Sequence, residues 1–440
     1  MSAVGAKTTM SPVDHYRTTF DARWPGNDPL IALRRAGLEQ FLSAGFPTPR
    51  QEDWKYTNLR RLETRAFTLA DASALDSNQP EWLTTAGTRI ALVNGHWMPA
   101  LSSQTAQPPG VTVLTLNQWL KREPAEVAAY LTDHGQITGS VLEQLNLAFF
   151  EDGVVINLAD GVTLDEPVYV VHQWTGAAAQ RMSHPRVMVR AGRNSSATIV
   201  EHYLGPADVE YFTNAVTRID VADGGAIRHF RVQQESLRSF HIGHVQAKIA
   251  RDGRYSIHDI ALGASLGRTD ITALLEGGGA HAALFGLFAP MGTQHLDAHT
   301  RIDHAAAHTT SEEDYRGVAG GRGRGVFNGK VIVRPGAQKI DARQSSRNLL
   351  LSPTAEIDTK PELEIYAHDV KCSHGATTGQ LDATALFYLR SRGLSDSDAR
   401  TLLIRAFAES ILSTIDVASV RNALEKHIDE RLNLLTEAKA

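Results

Sequence analysis

GVVINLADG (Gly153–Gly161), VYVVHQW (Val168–Trp174), RVMVRAG (Arg186–Gly192) and ATIVEHYLG (Ala197–Gly205) are four short apolar runs in close succession, broken by glycine or Asp-Gly turns. The same form returns in AIRHFRVQQ (Ala226–Gln234), YSIHDIALG (Tyr255–Gly263), HAALFGLFAP (His281–Pro290) and GVFNGKVIVRPG (Gly325–Gly336). Apolar and polar residues alternate in several of them, as strands with one buried face require. No helix-length pattern interrupts residues 149–379, which leaves a sandwich, a barrel or a solenoid. A barrel of this length would be large, whereas stacked coils bury short strands with glycine turns at their corners. The reading is therefore mainly β, a parallel β-helix with an imperfect repeat.

Outward from this core the pattern becomes helical on both sides. Residues 1–148 mix helices with loops. Ile31, Leu38, Phe41 and Leu42 share one helical face, and GFPTP stops that helix with Gly45, Pro47 and Pro49. TAQPPGVTV reads as a loop, and LNQWLKREPAEVAAYLT returns to helical spacing. Residues 380–440 are helical again. Ser395 and Asp398 have the form of a capping box. Ala399, Leu402, Leu403, Ala406 and Phe407 then fall on one side, as do Val417, Val420, Leu424, Ile428 and Leu432 in a second helix. These stripes are expected to dock either on the chain's own solenoid or on a partner.

The chain has 440 residues, 42% of them hydrophobic and 21% charged, which fits a folded globular protein of more than one unit. A formal charge of −5 leaves no basic excess for a nucleic-acid binder. No run reaches membrane-spanning length, and the polar N-terminus lacks a signal-peptide pattern, so a cytoplasmic protein without a membrane anchor is expected. There is one cysteine, Cys372. It can form no internal disulfide and cannot by itself complete a four-thiolate metal site, so any such chemistry must draw on histidine, carboxylate or another chain.

HDVKCSHGATTG (His368–Gly379) is the densest stretch of candidate chemistry. Cys372 and His374 lie two apart, so on a strand they face the same way. Thiolate and imidazole so placed suit a soft or borderline metal; equally, Cys372 can be a packed core thiol, since Val370 shares its parity. HLDAHTRIDHAAAH groups His295, Asp297, His299, His304 and His308, but lacks the His-Glu-x-x-His order of a zinc hydrolase. In GGRGRGVFNGK, Lys330 is followed by Val331 and by no helix, which excludes a phosphate loop; its glycines read as tight turns.

The block from Phe327 to Gly379, its continuation LFYLRSRGLSDSDARTLLIRAFAES (Leu386–Ser410), the early GFPTPRQEDWKYTNL (Gly45–Leu59) and HTRIDHAAAH together resemble the SufB/SufD family, in the family's order and over essentially the whole chain. The lone cysteine places the resemblance with the SufD branch, since SufB-type chains carry several. The resemblance implies a right-handed parallel β-helix and a scaffold role, without enzymatic activity, in building iron–sulfur clusters. It implies a SufB-like paralogue as partner, with a transient cluster forming at their interface and the SufB side supplying the sulfur-accepting cysteine. It also implies an ABC-type ATPase, SufC, contacting the helices from about Ser395. His374 matches the SufD-side ligand and Cys372 is its neighbour; no nucleotide site is implied on this chain. A SufB-type role, a polysaccharide-active solenoid enzyme and a cupin-type metalloenzyme are the alternatives. Self-pairing of the isolated chain as a homodimer stays open at this level.

Overall fold

The computed structural model describes residues 12–24, 26, 28–73, 75, 87–103, 107–132 and 139–437. Its centre is a parallel β-solenoid of two facing sheets between which successive strands alternate. Strands beginning at Phe212, Phe240, Leu266, His295, Arg324 and Glu356 build one wall, and those beginning at Ala226, Arg254, His281, Thr310, Ile340 and Val370 the other. Phe212 lies beside Phe240, Phe240 beside Leu266, Leu266 beside His295 and His295 beside Arg324, steps of 28, 26, 29 and 29 residues per coil. In such a stack each strand is templated by the rung before it, so strands of poor intrinsic β-propensity still form.

The lumen is filled by side chains of alternate residues. Ile199, Ile257, Leu284, Val245, Ile271, Ile302 and Val331 belong to its apolar part. Several glycines of the strands are there for space. A Cβ on Gly243 would meet Nη2 of Arg231 at 2.5 Å, and one on Gly286 or Gly329 would run into Tyr315 or Gln344. Large and small residues thus interdigitate across rungs. This corrects the turn reading of GGRGRGVFNGK in part: Gly321 turns with φ +64°, but Gly325 and Gly329 lie inside the strand Arg324–Val333.

The two ends of the solenoid differ. At the first, the parallel strand Thr88–Val93 continues one sheet, while Val111–Thr115 pairs antiparallel with Gly153–Leu158 and ends the other. So Val111–Thr115, read as the end of a loop, is a strand. At the second end, Glu356–Ile365 and Val370–Gly379 have a strand neighbour on one side only among the described residues.

The helix Ile31–Ala44 buries Leu38 and Phe41 and stops at Gly45, whose φ of +69° a β-carbon would strain. It packs against Val141–Phe149, capped by Ser140 and Glu143 in a reciprocal box. The segment after Gly45 is latched to the solenoid. Trp54 is buried beneath the guanidinium of Arg268, 3.8 Å from its ring centroid, and Arg268 also donates to the Asp53 carbonyl at 2.6 Å. Lys360, on the last rung, bridges Glu52 and Glu362 at 2.5 and 2.6 Å.

The C-terminal helices Asp396–Leu412 and Ala418–Glu437 dock on the chain's own solenoid, covering Val200, Phe230, Ile260, Phe285 and Val318. Val420, Leu424 and Ile428 are buried as expected, whereas the side chain of Leu432 lies outside the described residues. In the first of these helices the buried face is Ala399, Ile404, Ala408, Ile411 and Leu412. Of the expected stripe, Ala399 is buried and Phe407 packs against the same cluster, but the contact face is turned towards Ile404, Ala408 and Ile411 and leaves Leu402 outside it. Leu402 is 46% exposed. Ser395 caps this helix by accepting the Asp398 N–H at 3.0 Å, and its hydroxyl donates to the Asp398 carboxylate at 2.6 Å. Among the described residues, no helix is long and apolar enough to cross a membrane.

Candidate functional site

Val370–Gly379 is a strand because it lies in register on Ile340–Leu350, not because its sequence is apolar. Cys372 sits over Ala342, His374 over Gln344, Ala376 over Ser346 and Thr378 over Asn348. Ala342, Gln344, Ser346 and Asn348 are all buried in the lumen, so Cys372 and His374 share the inward parity and stand at its open mouth. Cys372 is half-buried and touches the lumenal core; burial, with the nearby Asp341 charge, raises its thiol pKa. That favours the protonated thiol, the poorer ligand and nucleophile. His374 is exposed.

Behind His374 the register continues from Gln344 to Glu313. The Gln344 amide donates to the Glu313 carboxylate at 2.6 Å, and burial pushes that carboxyl up to about 7. The side-chain oxygen of Gln344 is buried and has no hydrogen-bond partner among the described residues. Neither residue carries a recognisable motif. What could have found them is the coil length, since Gln344 precedes His374 by 30 residues and Glu313 precedes Gln344 by 31.

The opposite edge strand, Glu356–Ile365, carries Pro361 at its centre. Proline lacks the N–H that a ladder needs and is tolerated at an edge. Val370–Gly379 has no proline and is the more complete edge for pairing. Beyond it the helix Ala383–Ser391 buries none of its residues, leaving Phe387 73% and Tyr388 56% exposed.

The other histidine cluster is engaged structurally. Thr57 lies 2.7 Å from His295 Nε2 and donates to Asp297 at 2.5 Å, while Asp297 also faces Arg268 and His299 at 3.2 and 3.1 Å. Asp297 is fully desolvated, yet His299 and Arg268 hold its carboxyl well below the usual range. His304 is bonded to Thr309 and Ser311. Among the described residues, no group of three or more His, Cys, Asp or Glu side chains is arranged to hold a metal ion. The Cys372–His374 pair offers an incomplete donor set.

A two-walled parallel solenoid, closed by an antiparallel strand at one end and ending in edge strands at the other, defines a class of elongated repeat proteins with an open edge for pairing. The chain belongs to the SufBD family. Residues 174–407 match the family described as SUF system FeS cluster assembly, SufBD core domain, and residues 25–170 match the SufBD protein N-terminal region. An iron–sulfur cluster assembly SufBD family protein of Synechocystis is 33% identical, with 92% of each chain covered. The iron–sulfur cluster assembly protein SufD of Escherichia coli is 31% identical over 90% of this chain and 91% of its own. SufD of Bacillus subtilis is 25% identical over 97% and 99%.

Proposed function

We propose that this chain is a scaffold subunit of the SufD branch, without enzymatic activity of its own, that presents His374 to an iron–sulfur cluster assembled between it and a SufB-like paralogue. The observation that carries the reading is the open last rung, where an exposed imidazole on an unpaired edge strand stands in an incomplete donor set. A second solenoid pairing with Val370–Gly379 would satisfy the edge and supply the remaining ligands. An imidazole can hold cluster iron in place of a thiolate. Cys372, with its raised pKa, is the secondary ligand or a packing thiol. The exposed Phe387, Tyr388 and Leu402 form the platform for the SufC-type ATPase, whose nucleotide supplies the free energy for moving the interface.

The test is cluster yield on the purified three-protein complex. His374→Ala is expected to leave assembly intact and to reduce yield by about tenfold or more, with Cys372→Ala costing less. Unchanged yield from the His374→Ala complex removes the ligand role.

A further inference from the structure

The two residues behind His374 have no part in the reading so far. Gln344 is 4% exposed and Glu313 1%, and their bond spans two rungs of the lumen directly beneath His374. The bond uses the amide nitrogen of Gln344, so its oxygen points elsewhere. That oxygen is shielded from solvent and, among the described residues, unpartnered, a costly state for a buried acceptor. In the next rung the in-register residue is His374, flanked on the inward face by Cys372 and Ala376. Cys372 offers only a weak S–H donor and Ala376 none. Gly329, on the facing wall, leaves the space through which the Gln344 amide crosses.

We propose that Gln344, clamped by Glu313, is the positioning residue of His374: its side-chain oxygen accepts the ring N–H and leaves the other ring nitrogen bare towards the open edge. An imidazole ligand needs one deprotonated nitrogen in a fixed direction, and a hydrogen bond at the other nitrogen sets which tautomer is present. The clamp matters because an amide is ambiguous: a Gln free to flip would present N–H groups instead of the oxygen. Glu313 accepts from the amide nitrogen at 2.6 Å, and this bond fixes the N–H side against Glu313 and leaves the oxygen on the other side. This rests on the ligand reading of His374.

The experiment is ring-¹⁵N NMR of the full-length isolated chain with labelled histidine, His374 being assigned from the peak lost in His374→Gln. The wild-type ring is expected to hold one tautomer. Gln344→Met, which keeps the bulk and removes the acceptor, is expected to give a mixed population, and Gln344→Glu to restore a single one. Gly329→Ala, which pushes the amide aside without touching its chemistry, serves if Gln344→Met does not fold. A His374 tautomer unchanged in Gln344→Met, or in Gly329→Ala where that replaces it, overturns the proposal. On the assembled complex, Gln344→Met should lower cluster yield by about tenfold and shift the visible absorption of what remains. If His374→Ala leaves yield unchanged, the ligand reading fails whatever the tautomer does. If His374→Ala abolishes yield while the tautomer ignores Gln344, only the positioning role fails.

Discussion

Arg231 lies in the middle of the lumen, 1% exposed, with its guanidinium 2.7 Å from Asp259, 2.9 Å from Thr269 and 5.0 Å from the ring centroid of Tyr203. One rung away Glu201 is fully enclosed, bonded to Tyr203 and Thr217 at 2.5 and 2.7 Å. Burial alone would raise its carboxyl, but His172 and His229 hold it well below the normal range. Burying such ions is costly, and it is tolerable only because each has a partner in the adjacent rung. A slip of one residue would separate all of them, so the lumenal ions act against wrong registers. Arg231→Met strands the Asp259 charge and is expected to cost about 3–5 kcal/mol in urea unfolding of the isolated chain. Adding Asp259→Leu removes the orphan and should recover part of that loss. If the double variant is less stable than Arg231→Met, Asp259 is not held by this pair.

At the scale of elements, the helix Ala383–Ser391 contrasts with its neighbour Asp396–Leu412. The first has no buried residue and the second buries Ile404, Ala408, Ile411 and Leu412. Phe387→Ala with Tyr388→Ala should therefore change stability by no more than about 0.5 kcal/mol each, yet abolish co-purification with the ATPase subunit. Ile411→Ala should cost about 2–5 kcal/mol. Retained ATPase binding by the double variant would move that contact elsewhere. The same contrast explains what the sequence discloses. YSIHDIALG and HAALFGLFAP are visibly strands because their own apolar residues fill the lumen. Thr310–Ala319 (TSEEDYRGVA) is equally a strand, but its inward residues include Glu313 and Gly317, and only pairing with the rung before it makes it one. His374 and Cys372 were legible as a local motif. Gln344 and Glu313 were not, because nothing local links them to His374; the link is the coil length, which varies from 26 to 29 residues even among central rungs. The exposed Leu402 of Asp396–Leu412 has a similar cause: helical spacing identifies a face, and only packing decides which side of it is covered.

For the whole molecule, the buried histidines set a limit on acid stability. Burial, with the Arg186 charge, lowers His184 to about 3; burial lowers His202 to about 3 and His258 and His304 to about 4, all from 6.5. Each is depressed in the folded state, so the unfolded chain binds the proton first. The stability they contribute is present above pH 6.5 and is lost as pH falls towards 4. At pH 5 each costs about 2 kcal/mol relative to neutral pH. Glu313 acts in the opposite sense. Its folded pKa is raised from 4.5 to about 7, so its contribution is complete below 4.5 and is lost as pH rises through 7, returning about 2 kcal/mol on acidification to pH 5. The four histidines outweigh it, leaving a net loss of about 6 kcal/mol, comparable with the total stability of many proteins. These five groups together should take up about three protons on unfolding at pH 5, to which His241, His281 and His295, also lowered by burial, add. His258, stacked between Phe230 and Phe285 with ring centroids 5.1 and 5.0 Å away, is the residue to replace. His258→Phe keeps the stack, loses the 2.8 Å bond to Thr414, and should reduce the proton uptake by about one. Urea titrations of the isolated chain between pH 7.5 and 5 measure both quantities. Stability that stays level over that range would mean that these rings are already charged, or reach water, in the folded protein.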